Sequence, residues 1–341
     1  MTTSVKPVLA ITLGDVCGVG PEVVVRALSE DTTWEYQPLV VGDRITLQRA
    51  AALVGSSLEF TDCDGPIATA AGVVPVWNPA TVSLQDMPAG CNTAQAGKAA
   101  YQWLNAAIDL AFGGSVAGIV TAPISKAALH MAGHYYPGHT EILAERAGVE
   151  KFSMMLHLPA CDAVQGKHGL SVAHVTLHNS ISKVPTLMTQ GRIEETIELL
   201  FHFVRQLGCD SPRIGVCALN PHAGEGGLFG DEEQSRIAPA IESAAGRGAL
   251  SHGPIPADTL FLRAVNGEFD GVVAMYHDQG HIALKLIAFR RAVNVTLGLP
   301  FVRTSPSHGT AFDIAWQGKA EADGMRLAIQ TALKLARNGN S

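Results

Sequence analysis

The sequence predicts an α/β fold with two domains, in which helices pack against a mostly parallel sheet. Short apolar runs alternate with amphipathic helical patterns along nearly the whole chain, and this alternation is typical of α/β layers. The length of 341 residues favours two domains over one. Hydrophobic residues make up 47% of the chain and charged residues only 16%, which indicates a large buried core.

The elements follow one another in a regular order. Strand patterns lie at 8–15, 38–43, 171–178, 270–278 and 292–299, and a further strand in 213–227 enters a glycine-rich loop. Helical patterns lie at 21–30, 45–55, 93–114, 191–208 and 324–339, and 116–130 has the pattern strand, turn, helix. Residues 62–92 form an irregular surface excursion, and 157–170 form a loop or hairpin.

Charge and cysteine usage exclude several classes of partner. The net charge is −7, from 24 basic and 31 acidic residues without a Lys/Arg cluster, so we expect no nucleic-acid and no anionic-membrane partner. The N-terminal residues have no signal-peptide pattern, and no apolar run approaches the roughly 20 residues of a membrane span. The six scattered cysteines lack a CxxC pair, so we expect reduced thiols and a cytoplasmic protein.

Three histidines follow apolar strand patterns. His178 ends SVAHVTLH, His222 follows VCALNP, and His277 follows VVAMY. Strand ends in a parallel sheet can converge on one edge, where three imidazoles would form a divalent-metal site with positions open for substrate. Each histidine can equally be a hydrogen-bonded residue that caps a strand end, and the long spacing is not a self-sufficient metal motif.

Other polar residues lie near these strand ends. Asp278 and Asp258 can orient ligand imidazoles or act as a base, or they can be loop-capping aspartates. Lys285, His139 and Arg303 can bind an anionic substrate, since a bidentate arginine suits carboxylate or phosphate geometry. The alternative for each of these three is a solvated surface charge.

Three loops carry glycine or turn signals. GDVCGVGPE (14–22) does not have the GxGxxG spacing of a dinucleotide fingerprint. NPHAGEGG (220–227) can present N–H groups to an anion, or it can be a tight turn that needs positive φ. SPSHGTAFDIA (305–315) places His308, Thr310 and Asp313 in a turn before a helix, which suits a polar ring or a ribose.

Several stretches together resemble one family, the 4-hydroxythreonine-4-phosphate dehydrogenases of pyridoxal phosphate synthesis and their paralogues. The resemblance runs from residue 14 to about 320. The stretches that carry it include GDVCGVGPE, PGHTE, LNPHAGEGG, GPIPADTLF, MYHDQG and SPSHGTAFDIA.

The resemblance implies a two-domain α/β/α fold like that of isocitrate and isopropylmalate dehydrogenases, and not a Rossmann fold. It places a first, discontinuous domain at 1–125 plus 290–341. A second domain at 126–289 would carry the metal ligands and the interface of a homodimer with a shared active site.

The resemblance also implies roles for individual residues. His178, His222 and His277 would hold the metal, with ligands shared between subunits. His139, Thr140, Lys285, Asn294 and Arg303 would contact a small anionic substrate. His308, Gly309, Thr310 and Asp313 would lie against the adenosine of NAD.

The implied reaction is metal-assisted oxidation of a secondary hydroxyl with hydride transfer to NAD, followed by loss of carbon dioxide. Asp258 is the candidate base, and Lys285 is the second candidate catalytic residue. Three imidazoles suit zinc, cobalt, nickel or iron. No residue that reads a ribose phosphate stands out, so NAD and NADP both stay open.

The chain departs from the family pattern at several positions. GDVCGVGPE stands where GDPAGIGPE is usual, His174 and His281 are additional histidines, and Trp316 stands where a small residue is usual. HDQGHI resembles a branch that dehydrogenates the cis-dihydrodiol of terephthalate, while PGHTE, Asn294 and Arg303 match the phosphothreonine enzymes. A third branch acts on 4-phosphorylated threonate or erythronate.

Two hypotheses from other classes compete with a dehydrogenase. One is a metal-dependent hydrolase or lyase that uses the same three histidines with Glu225 as base. The other is a non-catalytic metabolite-binding protein on this fold. NAD binding separates the first from a dehydrogenase, and the histidines, lysine and arginine together disfavour the second.

Overall fold

A computed structural model describes residues 6–30, 33–288 and 290–339. The chain divides into two compact units, the first built from Met1–Val149 with Leu299–Ser341 and the second from Glu150–Gly298. The first unit is discontinuous in sequence, and each unit is described below by itself. The domain boundaries inferred from the resemblance stay a prediction.

In the described part of the first unit, six strands form parallel pairs in the order β3-β4-β2-β1-β5-β12. The strands are β1 (Val8–Thr12), β2 (Gln37–Val41), β3 (Glu59–Asp62), β4 (Val73–Trp77), β5 (Gly118–Thr121) and β12 (Val302–Pro306). The helices are α1 (Gly20–Ser29), α2 (Arg44–Val54), α3 (Ala94–Phe112), α4 (Lys126–Met131), α5 (His139–Ala147) and α11 (Asp323–Asn338).

Local chemistry explains where helices of this unit begin. Asp43 accepts a hydrogen bond from the backbone N–H of Thr46 at the start of α2, and Thr93 does the same at the start of α3. These side chains satisfy N–H groups that have no partner inside the helix. α1 begins at a proline-containing first turn, where the missing N–H is tolerated.

Among the residues of the second unit that the structure describes, six strands lie in the order β11-β6-β7-β10-β8-β9. The strands are β6 (Ser153–Leu158), β7 (Leu170–His174), β8 (Ile214–Cys217), β9 (Ser251–Ile255), β10 (Gly271–Ala274) and β11 (Val293–Leu297). β6 pairs antiparallel with β11 and β7, and the other pairs are parallel. The helices are α6 (Val184–Leu187), α7 (Gln190–Gln206), α8 (Ala238–Gly246), α9 (Ala257–Val265) and α10 (His277–Ala288).

A hydrophobic cluster forms the core beside β7, β10 and α9. Its fully buried members include Val172, Val272, Leu260 and Leu284. These residues alternate along the strands and recur along the helices with the periods expected for one buried face. The core therefore holds the carboxyl ends of β7, β10 and β8 in fixed positions, and the histidines follow those ends.

Some element boundaries differ from the sequence patterns. The pattern at 270–278 ends as a strand at Ala274, and α10 begins at His277. The side chain of Gln279 accepts a hydrogen bond from the N–H of Met275 at 2.6 Å, so a local side chain replaces a strand partner and starts the helix. β6 and β12 were not among the predicted strands.

Two further expectations can be compared with the described residues. Among them, no helix is long and apolar enough to cross a membrane. All six cysteines are free of disulfides. The first five residues of the N-terminal stretch lie outside the described part of the chain.

Candidate active site

A buried arginine lies at the end of the parallel sheet of the first unit. β12 runs parallel to β5 with Arg303 opposite Ile119, and Arg303 is only 1% exposed. Its Nη2 donates a hydrogen bond to Thr121 Oγ1 at 2.7 Å. Burial lowers the pKa of Arg303 to about 9, and the charge of Glu141 opposes that shift. A cation held away from water favours binding an anion.

His139 belongs to the same region. It is the first residue of α5, where helix N–H groups favour an anion. Its ring hydrogen-bonds the backbone of Ala122, and burial and then the charge of Arg303 lower its pKa well below the ordinary value. Its Nε2 is buried without a hydrogen-bond partner among the described residues. Thr140 follows in the first turn of α5 and is half-buried. His139 and Arg303 are therefore not solvated surface charges.

The glycine loop after β1 packs on the turn after β12. The N–H of Val19 donates to the carbonyl of Thr310 at 2.9 Å. A Cβ on Gly18 would come within 2.8 Å of the same carbonyl oxygen, so the loop needs glycine there. The structure thus brings Thr310, one of the predicted cofactor residues, to the GDVCGVGPE loop. Of the other three, His308 is half-buried, and Gly309 and Asp313 are exposed.

Two polar atoms in these loops are buried without hydrogen-bond partners among the described residues, namely Asp15 Oδ2 and His308 Nε2. Asp15 Oδ1 accepts a hydrogen bond from the N–H of Cys17 at 2.9 Å. Burial raises the pKa of Asp15 to about 6, against the effect of the hydrogen bonds from Cys17. Unsatisfied buried polar atoms mark a site that a polar ligand can complete.

Trp316 fastens this turn to the glycine loop. Its Nε1 donates to the carbonyl of Val16 at 2.8 Å, and its backbone N–H donates to the carboxylate of Glu22. Its φ is 61°, a left-handed conformation that is strained for a large residue. The guanidinium of Arg49 lies 4.1 Å from the ring centroid. The sequence marked Trp316 only as a departure from the family pattern.

The candidate metal ligands of the second unit follow three neighbouring strands. β7, β10 and β8 are adjacent and parallel, so the segments with His178, His277 and His222 leave the same edge of the sheet. The rings of His178 and His277 lie 5.7 Å apart. The Nδ1 of His277 donates to the Asp278 carboxylate at 2.6 Å, which leaves Nε2 as the nitrogen that can bind a metal.

Within the described residues, no group of three or more His, Cys, Asp or Glu side chains is arranged to hold a metal ion. The three-histidine site therefore stays a prediction. Its donor set still fits zinc, cobalt, nickel or iron by chemistry, because neutral imidazole is a favourable ligand for these metals. The Asp278 hydrogen bond to His277 is the kind of outer partner that metal-binding histidines have.

His174 and His281 extend the group around His277. The His281 ring is stacked on the His277 ring, with centroids 3.7 Å apart and 10° between planes. The Nδ1 of His281 lies 3.1 Å from the Nε2 of His174. Burial is the main cause that lowers the pKa of His174 to about 3 and of His281 to about 4. Both rings are therefore neutral at physiological pH.

The turn that carries His222 has a rare backbone conformation. The segment Pro221–Gly227 has six consecutive residues with positive φ, and three of them, His222, Ala223 and Glu225, are not glycine. The prediction of a tight turn with positive φ is met, although the non-glycine residues were not expected. Left-handed backbone costs each such residue about 1 kcal/mol or more.

A buried carboxylate holds this turn. Glu233 is 3% exposed, and its Oε1 accepts from the N–H groups of Leu219 and Asn220 at 2.8 Å each. Its Oε2 accepts from Asn220 Nδ2 at 3.0 Å. A Cβ on Gly224 would come within 2.8 Å of Oε2. No sequence pattern indicated this role for Glu233.

The remaining candidates of the second unit lie on three elements. Asp258 is exposed in the first turn of α9. Lys285 is exposed on α10, one turn beyond His281, and its charge contributes to the low pKa of that histidine. Asn294 lies on β11 opposite Leu156, and its Oδ1 is buried without a hydrogen-bond partner among the described residues.

The two α/β units, with buried polar groups at their strand ends and loops, have the architecture of a two-domain α/β enzyme. The loop after β1 does not have the GxGxxG spacing of a Rossmann protein. The chain belongs to the family described as pyridoxal phosphate biosynthetic protein PdxA, whose family model matches residues 35–332. The named relatives are dehydrogenases, and this chain is an enzyme of the same family.

Two relatives show how much of the chain is shared. A 4-hydroxythreonine-4-phosphate dehydrogenase of Geobacter metallireducens is 45% identical over 335 residues, covering 97% of this chain and 96% of the relative. A D-threonate 4-phosphate dehydrogenase of Salmonella typhimurium is 44% identical over 331 residues, covering 96% of this chain and 98% of the relative. The predicted family resemblance is confirmed.

Solved structures confirm the fold class. A 4-hydroxythreonine-4-phosphate dehydrogenase from Klebsiella pneumoniae has a TM-score of 0.85 and 41% identity, covering 97% of this chain and all of that one. A terephthalate 1,2-cis-dihydrodiol dehydrogenase from Burkholderia xenovorans has a TM-score of 0.68 and 28% identity, covering 96% and 98%. An isocitrate dehydrogenase from Methylococcus capsulatus, at 14% identity, TM-score 0.52 and coverage of 97% and 88%, shares the fold.

Proposed function

We propose that this protein oxidises a secondary hydroxyl of a small 4-phosphorylated hydroxy acid with NAD and a divalent metal, and that the oxidised product loses carbon dioxide. The preferred substrate is 4-phosphohydroxy-L-threonine, which would give 3-amino-2-oxopropyl phosphate. 4-Phospho-threonate or 4-phospho-erythronate is the alternative, because a relative named for D-threonate 4-phosphate is nearly as similar. NADP stays open as the cofactor.

The observation that carries the proposal is the buried cation Arg303 beside the first turn of α5. Arg303 and Thr121 are both fully buried, and His139 and Thr140 contribute a half-buried helix N-terminus. A phosphate group has the charge and the acceptor oxygens that such donors satisfy. A terephthalate dihydrodiol carries carboxylates, which an arginine also binds, so the preference for a phosphorylated substrate rests on the relatives: two named for phosphorylated substrates are 45% and 44% identical, whereas the terephthalate enzyme is 28% identical.

The second unit would supply the reaction chemistry. His178, His222 and His277 would hold the divalent metal, with ligands shared across a homodimer, and such a metal lowers the pKa of a bound hydroxyl. Asp278 accepts a hydrogen bond from Nδ1 of His277, so Nε2 is the ring nitrogen that would bind the metal. Lys285 and Asn294 would bind and orient the substrate. Asp258 is the candidate base that takes the hydroxyl proton.

The loops of the first unit would bind the cofactor, which accepts the hydride. His308, Gly309, Thr310 and Asp313 would contact the adenosine. Thr310 is fixed by its hydrogen bond from the glycine loop, so the adenosine would meet a preformed surface. We place the enzyme in the cytoplasm.

The direct test is NADH formation, followed by absorbance, with metal-stripped protein and added Co²⁺ or Zn²⁺. We would compare 4-phosphohydroxy-L-threonine, D-threonate 4-phosphate and the terephthalate cis-dihydrodiol at equal concentrations. We expect turnover of a phosphorylated substrate that requires NAD and metal, with carbon dioxide released in equal amount. Turnover of the dihydrodiol alone would contradict the preference for a phosphorylated substrate.

A variant pair sharpens the test. Arg303→Met should abolish turnover of the phosphorylated substrate, since it removes the buried cation. Arg205→Met is the matched control, because Arg205 is an exposed arginine on α7. Equal activity in both variants would remove the support that Arg303 gives to the proposal. Substrate-independent binding of NAD to a protein that turns over none of the three substrates would leave only the family assignment.

A further inference from the structure

His281 lies one helical turn after His277 on α10. Its ring covers one face of the ring of His277, which is the candidate metal ligand. The two planes differ by 10° with centroids 3.7 Å apart, which is a stacked contact. The edge of the His277 ring that carries Nδ1 is held by Asp278 at 2.6 Å. One face and one edge of His277 are therefore both fixed by neighbouring side chains.

The His281 ring is itself held by a directed chain of hydrogen bonds. The Nδ1 of His174 lies 3.3 Å from the carbonyl oxygen of Met154 on β6, and a carbonyl can only accept. His174 therefore carries its proton on Nδ1, and its Nε2 accepts. The Nδ1 of His281, at 3.1 Å from that Nε2, must then be the donor, and it also lies 3.1 Å from the carbonyl of His277.

The fold makes room for this chain at Gly280. A Cβ on Gly280 would come within 2.5 Å of the Nε2 of His174 and 2.8 Å of Val172. His174 is 0% exposed and His281 is 7% exposed. The absence of a side chain at Gly280 lets α10 approach β7 closely. His174 and His281 therefore lie buried between this helix and this strand.

We infer that His174 and His281 are positioning residues that fix the ring of His277 for the divalent metal. The main chain of β6 orients His174, His174 orients His281, and His281 fixes the plane of His277 by stacking. The Nε2 of His277 then points in one direction before metal binds, so little rotational freedom is lost on binding. Outer partners of this kind change metal affinity by about 10- to 100-fold.

This inference rests on the proposed function, because it assumes that His277 binds the metal. Neither histidine of the pair is assigned a metal or substrate contact. The role predicts an effect on metal affinity that does not depend on catalysis, so the test measures binding. Co²⁺ is the probe, since its visible absorption reports the number and kind of its ligands.

The experiment is a Co²⁺ titration of the full-length metal-free protein, followed by calorimetry and visible absorption, with melting temperature measured in parallel. His281→Asn retains an N–H donor toward His174 but removes the ring that stacks on His277. His174→Leu removes the acceptor of the chain. His202→Asn is the matched control, because His202 is an exposed histidine on α7.

We expect His281→Asn and His174→Leu each to weaken Co²⁺ binding by at least about 10-fold, while His202→Asn binds like the wild type. Affinities within twofold of the wild type would overturn the inference, even if the melting temperature falls, because a purely structural role moves stability alone. A wild type that binds no Co²⁺ would instead overturn the proposed metal site, and the positioning role with it.

A readout that needs no metal guards against variants that fail to fold. Nitrogen-15 spectra of histidine-labelled wild-type protein should show both His174 and His281 protonated on Nδ1, as the hydrogen-bond chain requires. Protonation of His281 on Nε2 would contradict the chain and overturn the inference.

Discussion

Replacing Arg303 with methionine should make the protein more stable and at the same time inactive. Arg303 is 1% exposed, so its charge is desolvated in the folded state. Methionine has a similar length and no charge, and it therefore removes the desolvation penalty while filling most of the same space. Binding sites often keep such destabilising groups because function requires them.

The size of the effect follows from the pKa. Burial lowers the pKa of Arg303 from 12.5 to about 9, and at about 1.4 kcal/mol per pH unit this corresponds to a penalty of about 4–5 kcal/mol. The penalty is present at every pH below about 9, where both the folded and unfolded states carry the charge, and it disappears as the pH rises above 9. Losing the hydrogen bond to Thr121 and the other interactions of the guanidinium offsets at least about 1.5–3 kcal/mol. The net gain in stability is therefore at most about 2 kcal/mol.

The assay is thermal and urea unfolding in buffer free of phosphate and sulfate. The pH is roughly 7.5–8, which lies well below the pKa of Arg303. Arg303→Met should melt about 2–6 °C above the wild type, whereas Arg303→Lys, which keeps a charge, should not. Adding inorganic phosphate should raise the melting temperature of the wild type but not of Arg303→Met. A less stable Arg303→Met protein that still responds to phosphate would refute the reasoning.

Three further predictions concern other parts of the chain. Gly280→Ala should destabilise the protein by about 1–3 kcal/mol in urea unfolding, because the added Cβ would lie 2.5 Å from His174 Nε2. The control is Gly191→Ala, where nothing lies within 4 Å of the added Cβ. This control should stabilise its helix by about 0.5–1 kcal/mol. Burial raises the pKa of Asp15 to about 6. Its destabilising effect should therefore grow by about 2 kcal/mol as the pH rises from about 4 to about 6, so the melting temperature of the wild type should fall relative to Asp15→Asn over that range. A constant difference would contradict the assignment. Glu233→Ala should cost about 3 kcal/mol in urea unfolding, because three buried hydrogen bonds to its carboxylate are lost, and a change below about 1 kcal/mol would show that the turn is held by other contacts.

Local sequence pattern explains how much of the fold was predictable. The spacing of apolar residues and the positions of turn residues report on structure within a few neighbouring positions. They correctly indicated the alternation of β1, α1, β2 and α2. They failed at β6, whose sequence SMMLHL lacks alternation because both faces are buried. They also overextended the strand before His277, since a glutamine side chain four residues away decides where α10 begins.

The candidate site was predictable only as a set of residue types. The order of amino acids shows which side chains are available, and the strand-end histidines, His139 and Arg303 indicated metal and anion chemistry. The folded packing buries Arg303 against Thr121, 182 positions away, and brings His281 to His174, 107 positions away. Burial and hydrogen-bond direction depend on such distant contacts, and the local spacing of apolar residues does not predict them. For that reason the sequence indicated the chemistry, while the packing decided each group's charge, proton position and orientation.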